Sequence, residues 1–182
     1  GIKRVIITDH DTIHGSIEAK KYVKSKNYDL VVPVAAEFLT DAGDIIGFNL
    51  SKNFKLRSKD VNNVLDQIKK SGGITVLPHP FDNHDLEKID FDLVDFIEVF
   101  NSRSTIKNNK KSFDLAKKLS KKMIYGSDAH FIDDISNVII ENLDIKNSQI
   151  QCFHTKYTPR ENLLFSQLIK SIKKFNFKLM VR

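Results

Sequence analysis

The sequence predicts an α/β protein centred on a parallel sheet, and three observations carry that expectation. Short, largely apolar runs recur at 3–8, 30–36, 74–77, 93–100, 123–125 and 138–140. Segments with apolar residues at helical spacing alternate with several of them. Strands buried on both faces and joined by helices form parallel sheets. Third, polar residues gather near the ends of the runs: His10, Glu37, His79, Glu98, Asn101, Asp128 and His130. In a parallel barrel such strand tips share one face, where barrel enzymes keep their chemistry.

In chain order, residues 3–8 read as the first strand and 15–26 as a helix with Ile17 and Tyr22 or Val23 facing inward. Residues 30–36 read as a strand broken by Pro33. Asp41-Ala42-Gly43-Asp44 is a turn, and 45–50 a short strand after it. Ser58 is the expected N-cap of a helix carrying Val61, Val64 or Leu65, and Ile68, which Gly72-Gly73 ends. The strand at 74–77 stops at Pro78-His79-Pro80, and the strand at 93–100 stops at Asn101. A helix turning Phe113, Ala116 and Leu119 inward leads to the strand before Gly126. Residues 163–175 read as a helix with Leu164, Leu168, Ile172 and Phe175 on one face.

The 182 residues suffice for one domain with a real core. The expected organisation is a single domain over 1–182, with a core at 1–141 and a C-terminal extension at 142–182. No run of about 18 apolar residues occurs, so no transmembrane helix and no membrane partner are expected. The first residues read as a strand rather than a signal peptide. One cysteine, Cys152, cannot form an internal disulfide, which fits a reducing, cytoplasmic setting. Lysine and arginine (29) exceed aspartate and glutamate (23), a net charge of +6. Much of the lysine lies in pairs such as Lys20-Lys21 and Lys117-Lys118 on expected helix surfaces. A solvated face accounts for these better than polyanion binding, because no basic motif interleaved with aromatics accompanies them.

Asp and His are ligands for zinc, manganese and iron. Thr8-Asp9-His10-Asp11 and Gly126-Ser127-Asp128-Ala129-His130 each place both types at a strand tip. A carboxylate beside His10 can hold one imidazole nitrogen and leave the other for a metal. Glu37 ends a run of small apolar residues, where a carboxylate is costly unless paired or bound to a cation. His79 is stiffened by a proline on each side. A sharp turn after Gly126 would bring Asp128 and His130 to one ion. A lone strand-end histidine is more often structural, but five candidates on converging tips shift that balance. His14, His84 and His154 stand in polar surroundings and read as surface residues. Clustered carboxylates and imidazoles would need cations. Two or three divalent metals (Mn, Zn or Fe) with a bridging water as nucleophile suit phosphate ester hydrolysis.

With these motifs the chain resembles the PHP (polymerase and histidinol phosphatase) domain family of metal-dependent phosphoesterases. The resemblance runs from Gly1 to about Ile140. Ile6-Ile7-Thr8-Asp9-His10-Asp11-Thr12 is similar to the family's second motif, whose His is a ligand. Ala36-Glu37-Phe38-Leu39-Thr40 resembles the motif whose Glu bridges two metals. Leu77-Pro78-His79-Pro80 resembles the third motif, with a ligand His. Gly126-Ser127-Asp128-Ala129-His130 resembles the fourth, whose Asp and His are both ligands. Ile97-Glu98-Val99-Phe100-Asn101 resembles the strand whose last residue lies beside the site. Asp44 stands where some members place another ligand His, and Asp9 is a further candidate.

The resemblance implies a distorted (β/α)7 TIM-like barrel lacking its first strand–helix unit. The family opens with a strand ending in His-x-His, a unit of roughly 30–40 residues, and Gly1 matches the loop after it. The segment from Cys152 to Pro159 resembles that first motif, with Cys in place of its first His. Cys152 and His154 are therefore candidate ligands if the C-terminal segment supplies the unit. Otherwise the segment is the variable C-terminal tail of such proteins.

The implied activity is hydrolysis of a small phosphate ester or nucleotide at a two- or three-metal cluster. His10, Glu37, His79, Asp128 and His130 hold metal in this reading, with Asp128, His130 and Glu37 catalytic. Asn101 and Arg103 contact the substrate. One alternative is a truncated or degenerate module with a structural or partner-binding role. Another is a nucleic-acid exonuclease, supported by family analogy and the positive charge. An oligomer is compatible with each.

Overall fold

A computed structural model describes residues 2–143 and 150–180 of the chain. Five strands form one sheet in the order β1-β2-β3-β4-β5: β1 (Ala35–Thr40), β2 (Gly43–Phe48), β3 (Ile74–Leu77), β4 (Phe96–Asn101) and β5 (Lys122–Gly126). β6 (Val138–Leu143) and β7 (Ile150–Thr155) form a separate antiparallel pair. The helices are α1 (His14–Ser25), α2 (Val61–Lys70), α3 (Ile106–Lys118) and α4 (Arg160–Met180).

The sheet is mixed rather than wholly parallel. β1 and β2 form an antiparallel hairpin around Asp41-Ala42, and β2 is also antiparallel to β3. β3, β4 and β5 are parallel. Two reversals leave β1 running in the direction of β3, so the C-terminal ends of β1, β3, β4 and β5 lie at one edge. The start of β2, with Asp44, turns back into the same edge.

Both sheet faces are buried, as the apolar strands require. On one face α2 packs Val61, Val64, Leu65 and Ile68 against Ala36, Ile45, Leu77 and Ile97. The other face holds Ala35, Phe48, Val76, Phe96 and Ile124, with Ile6 and Ile140 packed against them. Among the described residues the sheet is open, and no closed barrel is formed.

Several local expectations change. Residues 3–8 run extended beside the chain at 31–37 through isolated bridges, Arg4 to Val31 and His10 to Glu37, rather than as a continuous strand. β1 begins at Ala35 and continues through Glu37 to Thr40, so Glu37 is held mid-strand. Asp60, not Ser58, caps α2, accepting from the Asn63 N–H, while the Ser58 hydroxyl accepts from the Asp60 N–H. α1 points Ser16 and Ile17 inward and leaves Tyr22 exposed. α3 buries Asn109, Ser112 and Ala116, whereas Phe113 is partly exposed. Among the described side chains of α4, Ser166 is the buried one, and the expected inward row of Leu164, Leu168 and Ile172 is about half exposed. Phe175's side chain lies outside the described residues.

Candidate metal centre

Glu37 is the hub of the strand-end residues. Its Oε1 lies 3.2 Å from His79 Nε2, and its Oε2 lies 3.4 Å from His10 Nδ1. The backbone fixes this arrangement: Asp11 N–H donates to the Glu37 carbonyl at 2.7 Å and Glu37 N–H donates to the Asp9 carbonyl at 3.1 Å. His10 is therefore held beside Glu37 across a parallel bridge. His10 is largely exposed, Glu37 is buried and His79 mostly so, and the three line a site open on the His10 side.

Asp44 joins this group. It pairs with Leu39 across the hairpin, which makes it the diagonal neighbour of Glu37. Ligand atoms of Glu37, Asp44 and His79 all lie within 4.8 Å of one another. Burial, reinforced by the Glu37 charge, raises the pKa of Asp44. Burial opposes charge on His79, but its hydrogen bond to Glu37 and the fields of Glu98, Glu37 and Asp128 outweigh it and raise its pKa to about 9. An imidazolium there offsets part of the surrounding negative charge, as a divalent cation would.

His79 and Asp128 both hold left-handed backbone conformations, φ 28° and 46°. Such conformations are strained in non-glycine residues and cluster at functional sites. The two positions meet through β4. The Asn101 amide nitrogen is 3.1 Å from Glu98 Oε2 and 3.4 Å from Asp128 Oδ2. Asn109 fixes Asn101 in turn: its Oδ1 accepts the Asn101 N–H and its Nδ2 donates to the Asn101 carbonyl, both at 3.0 Å. Burial raises the pKa of Asp128 and pushes that of Glu98 up to about 7.

The structure places the remaining candidates as follows. His130 folds back on Asp128, with Nδ1 3.0 Å from the Asp128 carbonyl and 3.5 Å from its Oδ1. Arg103 is mostly buried rather than solvated. Its Nε is 3.8 Å from Asp128 Oδ2, and its guanidinium also reaches Ser166 and the wholly buried Asp134. The Asp9 carboxylate lies against Gly15, where any Cβ would fall 1.9 Å from Oδ2, so it faces the start of α1. The Cys152 thiol donates to the carbonyls of Ile139 and His154. Cys152 pairs with Ile140 and His154 with Ile139 in the β6–β7 ladder, and no described contact joins either side chain to Glu37, His79 or Asp128.

Two residues gained significance only in three dimensions. His84 is not a free surface residue: its Nε2 is 2.9 Å from the Asp44 carbonyl, and its ring packs edge-on against His79 with centroids 5.4 Å apart. Burial lowers its pKa. Glu98 was legible as a strand-end carboxylate but not as the acceptor for the His79 N–H, at 2.7 Å.

The PHP-associated family model (PHP_C) matches residues 107–151. By that match and by its fold the chain is similar to PHP proteins. Two uncharacterized proteins of Methanocaldococcus jannaschii are similar to this chain. One is 37% identical over 114 residues, covering 60% of this chain and 65% of the relative. The other is 35% identical over 116 residues, covering 58% and 48%. The match thus spans less than two thirds of either relative. The fold is similar to that of a Chromobacterium violaceum amidohydrolase solved with bound sulfate and no metal (TM-score 0.59, 13% identity, 73% of this chain and 79% of that one). It is also similar to a Bifidobacterium adolescentis protein assigned as a metal-dependent phosphoesterase (TM-score 0.56, 15% identity, 72% and 78%). A two-domain Bacteroides vulgatus protein containing a predicted PHP-like metal-dependent phosphoesterase gives a TM-score of 0.54 at 16% identity, over 68% and 42%. These solved structures show the fold.

Proposed function

We propose that this chain is a PHP-type metal-dependent phosphoesterase acting on a small phosphate ester or nucleotide. The observation that supports this best is the meeting of Glu37, Asp44 and His79 ligand atoms within 4.8 Å at the edge where four strands end. The donor set fits a divalent metal: carboxylate oxygens and imidazole nitrogens suit Mn, Zn or Fe. His79 adds a buried Nδ1 without a hydrogen-bond partner among the described residues.

In this reading His10, Glu37, Asp44, His79, Asp128 and His130 hold the metals. A bound divalent metal supplies Lewis acidity toward the phosphoryl group and a lowered pKa for water. Glu37, with one oxygen toward each of two imidazoles, is built to bridge. Asn101 orients the Asp128 carboxylate. Arg103, anchored by Ser166, keeps its positive charge beside Asp128 and would offset charge developing on a phosphoryl oxygen. The open side at His10 admits the ester. The barrel reading, with a further strand–helix unit beside the 3–11 segment, belongs to the same proposal.

The test is Asp128→Ala assayed on a chromogenic phosphate monoester with added Mn2+. Metal-dependent turnover should disappear, and full residual turnover would overturn the assignment. A second reading, a partner-binding module with little activity, is favoured by the half-exposed apolar row on α4 and by Ile132, 86% exposed. Stoichiometric metal without turnover on any phosphate ester would decide for it.

A further inference from the structure

We propose that Glu98 is a positioning residue of this metal site, holding the backbone of His79 and, through Asn101, the carboxylate of Asp128. The inference rests on the metal-site reading above. β4 lies between β3 and β5, the strands that lead into His79 and Asp128. From that central strand the buried Glu98 Oε2 accepts the His79 N–H at 2.7 Å and the Asn101 amide at 3.1 Å. The same amide nitrogen lies 3.4 Å from Asp128 Oδ2. One carboxylate is thereby bonded to the backbone of His79, which holds a positive φ, and linked through Asn101 to the Asp128 side chain; strained backbone persists only where its surroundings over-determine it.

Two further facts argue that Glu98 is more than a packing residue. Glu98 is buried, where a carboxylate is expensive unless polar partners hold it, and the partners it has are the His79 N–H and the Asn101 amide. Room is also kept for it: a Cβ on Gly126 would fall 1.9 Å from Glu98 Oε1. An aliphatic side chain would fill β4 at lower cost. The carboxylate does what an aliphatic chain cannot, which is to accept from a backbone N–H in a conformation where no strand partner is available.

Two variants separate positioning from direct ligation. Glu98→Gln retains an acceptor for His79 and Asn101, whereas Glu98→Ala removes it. Calorimetric titration with Mn2+ should show Glu98→Ala binding about 10–100-fold more weakly than wild type, the range for removing a group that orients a ligand. Glu98→Gln should stay within about threefold of wild type on the same scale. Amide hydrogen exchange of metal-free protein should show faster exchange at His79 in Glu98→Ala and near-wild-type exchange in Glu98→Gln. Equal loss of Mn2+ in both variants, with His79 exchange unchanged, would make Glu98 a direct ligand and overturn the proposal. Unchanged Mn2+ affinity in Glu98→Ala would also overturn it while leaving the metal site intact. Failure of the wild-type chain to bind Mn2+ would overturn the metal reading and this proposal with it.

Discussion

Gly126 shows how much can hang on a missing Cβ. It ends β5 opposite the Glu98 carboxylate, and any side chain there would overlap Oε1. Gly126→Ala should therefore destabilise the chain by about 1–3 kcal/mol, the usual cost of overpacking, measured by urea unfolding. It should also weaken Mn2+ binding, because Glu98 must move. At this scale the sequence shows which residue types are present but not which way they face. Asp9 and Asp128 both stand beside a candidate ligand histidine, yet Asp9 turns to Gly15 and Asp128 to Asn101 and Arg103. The difference is made by backbone conformation: a φ of 46° at Asp128 is a response to the surrounding fold.

Among the elements, α2 is the one whose amphipathic pattern reads directly as burial. Val61, Val64, Leu65 and Ile68 repeat at helical spacing and are all buried. Leu65→Ala should cost about 2–5 kcal/mol in unfolding free energy, and Asp60→Ala about 1 kcal/mol through loss of the cap. A thermal melt in which Asp60→Ala is neutral while Ser58→Ala is destabilising would reverse the cap assignment. α3 and the described part of α4 follow the same reading only in part, because polar residues share their buried positions: Asn109 and Ser112 beside Ala116 on α3, and Ser166 on α4. Asn109 on α3 extends the end of β4 with side-chain hydrogen bonds to Asn101. Ser166 on α4 meets the Arg103 guanidinium. Hydrophobic spacing cannot find a helix face selected by hydrogen-bond partners on another element, so Phe113 and Leu164, expected inward, are partly and about half exposed.

At the scale of the molecule, buried polar contacts tie separate segments together. Asp134 accepts from Asn162 at 3.1 Å and lies 3.9 Å from the Arg103 guanidinium. The Thr158 N–H donates to the Ser102 carbonyl at 2.8 Å. Asp134→Ala leaves buried donors unsatisfied and should lower stability by about 3 kcal/mol, read from chemical denaturation. Asp95 links α2 to the sheet through Lys69 and Thr75. Burial works against its charge, but the Lys69 and Thr75 hydrogen bonds prevail and its pKa is lowered. A carboxylate with a depressed folded-state pKa contributes its full stabilisation above its unfolded pKa of about 3.9 and loses it as pH falls through the folded value. Asp95→Asn should therefore lower stability at neutral pH and flatten the acid limb of a stability–pH profile. A steeper limb in the variant would contradict the sign.

Local spacing was enough to show alternating strands and helices, the turn at 41–44, and strand-end carboxylates and imidazoles. Those are properties of short stretches, set by side-chain periodicity and by where polar groups interrupt apolar runs. Tertiary structure decided that the sheet is mixed and that β1 and β3 nevertheless end at the same edge. It also set the Asp44 ligand atoms beside Glu37 and His79, packed His84 on His79 and made Glu98 the acceptor for the His79 N–H. Those outcomes depend on strand order and on groups far apart in the chain, such as Glu37 with His79 and Glu98 with Gly126. No local pattern records which strand will lie beside which.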